Sequence, residues 1–296
     1  MIVSVIITTY NQPRWLERVL WAYHFQTHRQ FQIVIADDGS EESTRLIIEQ
    51  LRASTGLDIQ HIWQSDQGFR KCSILNKAIV SSKHAYLVFS DGDCLPRRDF
   101  LAEHVRLAEK GRFLSGGIVH LPSATSNAID RKAIESGRAT EWRYLRHAGL
   151  PRNRKALLLT PSPRVAAFLD GITTTRLTFN GHNASAWKSD LVSINGFDEE
   201  MQYGGLDREL GERLTNAGIR GKQIRHRAVA VHLYHTREYA NAAGWNRNNQ
   251  IREVTRCTRR TWTKLGLDQY STVPTQINGD GSNSQSKTDN LSRKSA

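Results

Sequence analysis

The feature that most constrains this chain is an alternation running through its first 120 residues: a short β-rich apolar run, a polar turn, then an amphipathic stretch of helical period. The runs are IVSVIITT from Ile2, QIVIADD from Gln32, DIQHIW from Asp58 and AYLVFSD from Ala85. Between and after them the spacing predicts helices over about Pro13 to Gln26, Glu42 to Ala53, Lys71 to Val80 and Arg97 to Lys110. Asn11 as cap with Pro13 in the first turn predicts the first helix start, and Ser40 or Ser43 the second. Strands alternating with helices in this way predict an α/β fold, a mostly parallel sheet flanked by helices on both faces.

Sheets of that kind bind ligands in the crevice at the carboxyl ends of their strands. The polar clusters fall there: TTYN after the first run, ADDGS at the second and SDGD at the fourth. No GxGxxG or GxxxxGK[ST] loop follows a strand, which excludes the usual dinucleotide oxidoreductase and P-loop NTPase signatures. Lys and Arg exceed Asp and Glu by 41 to 29, a formal charge of +12 that favours phosphate-bearing partners without choosing among them. Helix-turn-helix and RNA-binding signatures are missing, so nucleic acid is not the expected partner.

Three cysteines without CxxC spacing argue against a disulfide framework or structural zinc and fit a reducing, cytoplasmic setting. The start MIVSVIITTYNQP does not read as a signal peptide, and no run is apolar for long enough to span a membrane. From Ser271 to Ala296 the chain is polar, too poor in large apolar residues to offset its own ordering, and is expected to be disordered.

After Gly117 the pattern weakens. Leu121 to Arg164 is expected to hold helices near Ala128 to Gly137 and Glu141 to His147 and to act as a mobile lid, a role the loop Tyr203 to Gly205 could also fill. Asp207 to Asn216 reads as a helix entered from Gly204-Gly205 and closed by Gly218, followed by the strand AVAVHLYH. Arg237 to Leu265 reads as a basic terminal helix with Trp245 and Trp262, suited to an anionic membrane surface or to solvent.

Asp91-Gly92-Asp93 at a strand end could bridge a divalent cation and phosphates, or simply form a turn. His232 and His235 face opposite sides of an ideal strand, and converge only if the strand ends before the second of them. Asp207 and Glu209 could each serve as a general base, or only complement a helix dipole.

Taken in order, these clusters resemble the family 2 glycosyltransferases of the GT-A fold over residues 2 to 240. The resemblance is carried by SVIITTYN, IVIADDGS, FSDGDCLPRRDFL, FNGHNASAWKSDLVSINGFDEEM and YGGLDRELGERL. The last two are similar to the galactosyltransferase-type half of bacterial chondroitin-polymerase-like enzymes and animal β-1,4-galactosyltransferases.

The resemblance implies a single GT-A (Rossmann-like) domain over residues 1–270. It would comprise a nucleotide-binding half (1–120), an acceptor and metal half (121–236) and the basic C-terminal segment (237–270). It implies that Thr9, Tyr10 and Asn11 with Asp37 and Asp38 hold the nucleoside of a UDP-sugar, with Arg70 approaching the nucleotide. Asp91, Gly92 and Asp93 would be the DxD motif, with Asp93, His235 and His232 holding Mn²⁺ or Mg²⁺. Asp207, beside Gly205, would deprotonate the acceptor, giving an inverted product. His182, Asn183 and Trp187 would line the acceptor or donor-sugar site. The family's Glu before the base is replaced by Leu206, which bears on acceptor identity and raises a weakened, scaffold-like protein as the alternative. The implied acceptor is a glycan or lipid-linked glycan of a cell-surface polysaccharide or lipopolysaccharide, reached by peripheral contact with an anionic membrane.

Overall fold

The computed structural model describes residues 1–152, 154–236 and 242–270. The tail expected to be disordered lies outside the described residues, as do the first residues of the segment read as a basic terminal helix. The strands are β1 (Val3–Thr9), β2 (Phe31–Asp37), β3 (Ile59–Trp63), β4 (Tyr86–Asp91), β5 (Cys94–Pro96), β6 (Arg112–Ser115), β7 (Gly117–His120), β8 (Asn183–Trp187), β9 (Arg220–Gln223) and β10 (Val229–His232). Four helices accompany the first half: α1 (Pro13–His24), α2 (Glu42–Thr55), α3 (Lys71–Ser81) and α4 (Phe100–Leu107). Then follow α5 (Ser123–Ala128), α6 (Arg131–Glu135), α7 (Trp142–His147), α8 (Pro163–Ile172), α9 (Lys188–Ser193), α10 (Leu206–Asn216) and α11 (Ala242–Cys257). None of the described helices is long and apolar enough to cross a membrane.

The main sheet has the order β3-β2-β1-β4-β8-β6-β9, and β5-β10-β7 form a second sheet. β1, β2, β3 and β4 pair in parallel, whereas β8 runs antiparallel to both β4 and β6. The chain steps outward from β1 to β2 and β3, then returns to β4 on the other side of β1, which puts the switch point between β1 and β4.

Strand alternation divides the interior into two cores. Val3, Val5, Ile7, Ile33, Ile35 and Val88 point to one face, against α1, α2, α4 and the second sheet. Ile6, Val34, Ala36, Leu87 and Phe89 point to the other, against α3, α9 and α10. Both faces are covered, so these strands are apolar almost without interruption.

Local capping differs from the sequence reading. The residue before α1 is Gln12, with no side-chain cap, and the residue before α2 is Glu41, also uncapped. Asn11, at φ 48°, joins the two loops instead. Its Oδ1 accepts from Glu41 N–H at 2.8 Å and its own N–H donates to Ser40 Oγ at 2.9 Å.

The stretch after Leu121 is anchored rather than free to act as a lid: Leu121, Ile129, Ile134, Leu145, Leu150 and Leu159 are all buried in the first core. The terminal helix ends at Cys257, short of the expected Leu265, and three cations of the segment have carboxylate partners. Arg252 pairs with Glu212, Arg256 with Glu253, and Arg260 with Asp198 and Glu209.

Candidate active site

The loops at the carboxyl ends of β1 to β4, with those around β8, α10 and β10, enclose a cleft of about 860 Å³. Thr9, Tyr10, Asn11, Asp38, Asp91, Gly92, Asp93, His182, Gly205, Asp207, His232 and His235 all line it, so most of the expected site residues share one cavity. They come from strand ends and turns separated by up to some two hundred residues in sequence, which only the crossover topology brings together.

Beside the ends of β1 and β2, Asp38 accepts from Gln64 Nε2 at 2.6 Å and from the Arg70 N–H at 2.9 Å. Burial nevertheless raises its carboxyl above the ordinary range. Tyr10 donates to Asp66 Oδ2 at 2.9 Å, and Thr9 Oγ1 is buried beside the cleft with no hydrogen-bond partner among the described residues. An orphaned buried hydroxyl lining a cavity is suited to a ligand polar group.

In the middle, Gly92 is closely packed: a Cβ would stand 3.1 Å from the Thr8 carbonyl and 3.2 Å from Thr9 Oγ1. Asp91 Oδ1 accepts from Thr8 Oγ1 at 2.5 Å and from Lys71 Nζ at 2.7 Å. Burial opposes the charge on both partners of that ion pair. Their mutual attraction more than offsets it, holding Asp91 below the carboxylate range and Lys71 above the usual lysine range.

β10 ends at His232, after which the chain turns and carries His235 back to the same carboxylate. His235 Nε2 lies 2.8 Å from Asp93 Oδ2 and His232 Nε2 lies 3.7 Å from Asp93 Oδ1, the two rings stacked at 5.3 Å. Burial pushes Asp93 upward, but the His235 hydrogen bond and the two imidazoles prevail and hold it well below the usual range. One carboxylate and two imidazole nitrogens suit a borderline cation such as Mn²⁺. The Cys94 thiol also reaches Asp93 Oδ1, at 3.2 Å, but it is buried in β5 and burial keeps it protonated, so His235 is the better third donor.

On the opposite wall, Asp207 sits in the first turn of α10. Its Oδ2 accepts from Gly181 N–H at 3.1 Å and its Oδ1 from Arg208 N–H at 2.8 Å, which fixes the carboxylate toward the cleft. The other candidate base, Glu209, is fully buried and bound to Arg213, Arg260 and Thr255.

Four expected residues lie elsewhere. Asp37 turns away from the cleft, accepting from Ser40 N–H and contacting His61 Nε2 at 2.9 Å. Arg70 contributes only its backbone N–H to Asp38, while its guanidinium donates to the Ser65 carbonyl. β8 runs antiparallel to β4, so Asn183 pairs with Ser90 at the cleft end and Trp187 with Tyr86 at the far end. Trp187 donates there to the Glu109 carbonyl under the Lys110 ammonium, and cannot stack on a sugar in the cleft. Asn183 is fully buried, joining His104 to the Gly117 and Ala228 carbonyls.

The sequence reading did not place Lys71 or His120 in the site, and it gave Trp245 to a terminal helix rather than to the cleft. Lys71 carries a signal: a cation at the first position of a helix opposes the dipole and calls for a local reason. His120 ends β7 with its ring 4.8 Å from that of His232. Trp245 closes one wall against Gly204 and Tyr203. Neither has a sequence signal.

The chain has counterparts among known proteins. The glycosyl transferase family 2 profile matches residues 4–173. The chain is 25% identical over 253 residues to the chondroitin synthase of Escherichia coli, covering 77% of this chain and 34% of that protein. It is 34% identical over 243 residues to the hyaluronan synthase of Pasteurella multocida, covering 75% and 23%. The chain therefore spans only about a third or less of the length of these two relatives.

Among solved structures, Staphylococcus aureus TarS residues 1–349 with UDP-GlcNAc superposes with a TM-score of 0.59 at 15% identity, covering 91% of this chain and 69% of that one. The mannosyltransferase PcManGT of Pyrobaculum calidifontis, in complex with GDP-Man and Mn²⁺, gives 0.54 at 20% identity, covering 87% and 62%. With the family profile spanning more than half of its length and this sheet order beneath it, the chain belongs to glycosyl transferase family 2 and has the GT-A fold.

Proposed function

We propose that this transferase moves a hexose or N-acetylhexosamine from a UDP-sugar to a glycan or lipid-linked glycan acceptor, with inversion, in the synthesis of a cell-surface polysaccharide or lipopolysaccharide. One observation carries the reading: a single cleft of about 860 Å³ places Asp38, Asp91, Asp93, His232, His235 and Asp207 around one space. That volume suits a ligand of nucleotide-sugar size. The relatives named for chondroitin and hyaluronan synthesis, and the neighbour solved with UDP-GlcNAc, support the substrate class.

Thr9, Tyr10 and Asp38 receive the nucleoside, and the Lys71 ammonium, held against Asp91, faces the diphosphate with positive charge. Asp93, His235 and His232 would hold Mn²⁺ or Mg²⁺, which when bound supplies Lewis-acid neutralisation of the departing diphosphate. Asp207 accepts the proton of the acceptor hydroxyl as that oxygen attacks the anomeric carbon on the face opposite UDP. The carboxylate needs no rearrangement to do so, because Gly181 and Arg208 already hold it. Gly204 and Gly205, both at positive φ, let the loop before α10 close over bound donor and exclude water. Leu206 is buried at the position where the family resemblance implies an acceptor-recognising Glu, which points to a different acceptor for this chain.

The test is thermal shift and donor hydrolysis with a panel of UDP-, GDP- and dTDP-sugars, with and without Mn²⁺. One UDP-sugar should stabilise the protein only with metal, by about 2.7 kcal/mol at a hundredfold excess over its dissociation constant. Asp93→Asn should remove that increment and the turnover while the unliganded protein still folds, with the parent's circular dichroism. An Asp93→Asn enzyme with full activity would sink the metal assignment.

A further inference from the structure

Helix α8 is amphipathic the wrong way round. Residues three and four apart share a helix face, and here Val165, Phe168 and Ile172 do so while standing 45%, 63% and 58% exposed. The opposite face, through Ala166 and Asp170, is the buried one. Its anchor is polar: the Asp170 carboxylate accepts from the His226 N–H at 2.8 Å and from Arg227 Nε at 2.7 Å. The helix is thus held by an ion pair while its large apolar side chains face outward. Leu157 and Leu177, before and after it in sequence, are also exposed. Contiguous apolar surface of this kind on a folded chain marks an interaction site.

The charge along this stretch of chain has one sign. No Asp or Glu occurs between Glu141 and Asp170, and the next acid after Asp170 is Asp190. Asp170 itself is buried in its ion pair, so the solvent-facing charges flanking the helix are cationic: Arg152, Arg154, Lys155, Arg164 and Arg176, all exposed.

We propose that α8 with its flanking segments is a seat for an anionic lipid bilayer. Phe168, Ile172 and Val165 enter the headgroup and acyl boundary, and the surrounding guanidinium and ammonium groups meet the lipid phosphates. A second copy of the chain fits this face less well, because it would set the same cations of this stretch against one another. The seat is close to the cleft. Residues 173–179 link α8 to Asn180 and Gly181 on the cleft wall, a path of at most roughly 28 Å even if fully extended. A sugar acceptor carried on a lipid would be delivered within that reach. The surface differs from the C-terminal segment, where Trp245 lines the cleft and Arg252 and Arg260 are in ion pairs. It also stands apart from the sugar-transfer reading, because its test measures no turnover.

The experiment is flotation of the full chain with vesicles of phosphatidylglycerol and phosphatidylcholine, and with phosphatidylcholine alone, at physiological and raised salt. The parent should float with the anionic vesicles only, and less at raised salt. The exposed-face variant F168S/I172S should lower the bound fraction roughly tenfold, and R164Q/R176Q should lower it and flatten its salt dependence. Circular dichroism and melting should match the parent for both, as all four side chains are exposed. The proposal is overturned if the parent does not float with anionic vesicles, or if F168S/I172S floats like the parent, which would move the contact to another surface. It is also overturned if the parent sediments as a dimer that F168S/I172S dissociates, which would give the face to a second copy.

Discussion

Asp207 and Glu209 stand two residues apart in one helical turn, yet their surroundings give them opposite fates. Asp207 is turned to the cleft and held by two backbone N–H groups, whereas Glu209 is closed in by Arg213, Arg260 and Thr255. Asp207→Asn keeps an acceptor oxygen for Gly181 but can no longer take a proton. Its kcat should fall by about a thousandfold, within the range for loss of a general base, with the KM for donor nearly unchanged. Steady-state kinetics check this, and a variant whose kcat stays within about tenfold of the parent would move the base elsewhere. Lys71 belongs at this scale too. Its place at the start of α3 runs against the helix dipole, and the Asp91 ion pair supplies the reason.

Among elements, the turn before α10 shapes the cleft most directly. Gly204, at φ 107°, has no space for a methyl group: a Cβ would lie 2.6 Å from the Trp245 ring. Gly218, at φ 85° after the same helix, has nothing within 4 Å of its Cβ position. Gly204→Ala and Gly218→Ala therefore share the strain of a left-handed residue, about 1 kcal/mol, and differ by the clash. Gly204→Ala should destabilise by about 1–2 kcal/mol more and raise KM, because Trp245 must leave the wall. Denaturant titration and kinetics on the pair separate the two effects; equal losses would mean that Trp245 yields without cost. Helix α8 teaches a related lesson. The sequence reading placed no helix there, and which face is buried depends on Asp170 meeting Arg227.

Across the whole molecule, a buried polar chain ties the two sheets together. Asn183 donates to the Gly117 and Ala228 carbonyls, so its Oδ1 is left to accept from His104 Nε2 at 3.0 Å. That places the proton on Nε2, and His104 Nδ1 accepts from Ser185 Oγ, which accepts in turn from Tyr86. Desolvation lowers the His104 pKa from 6.5 to about 4, despite the hydrogen bond to Asn183. Between those values the unfolded chain binds the proton and the folded chain does not. The associated stability is complete above about pH 6.5, declines as pH falls and is lost by about pH 4, on the order of 3 kcal/mol. Urea unfolding across that window should show the decline, and His104→Gln, less stable at neutral pH, should show a shallower one. An unchanged slope in the variant would assign the pH dependence to other groups.

The sequence determined the alternation of strands and helices, and with it a parallel sheet and a cleft at its strand ends. Burial on both faces demands continuous apolar runs there, and the turns must carry whatever is polar. It also marked Asp91, Asp93 and Asp207, because carboxylates at turns and helix starts are local features. Partners far apart in the chain were decided only by tertiary structure. Asn183 and Trp187 share the strand β8 with no local cue to its direction. Only its antiparallel pairing with β4 carries Trp187 to the far end and turns Asn183 into the link between sheets. His232 and His235 reach one carboxylate because β10 stops at His232, and His120 joins them because β7 pairs beside it. Strand period and helix period are written in neighbouring residues; strand order, direction and the closing of the cleft depend on which distant surfaces bury one another.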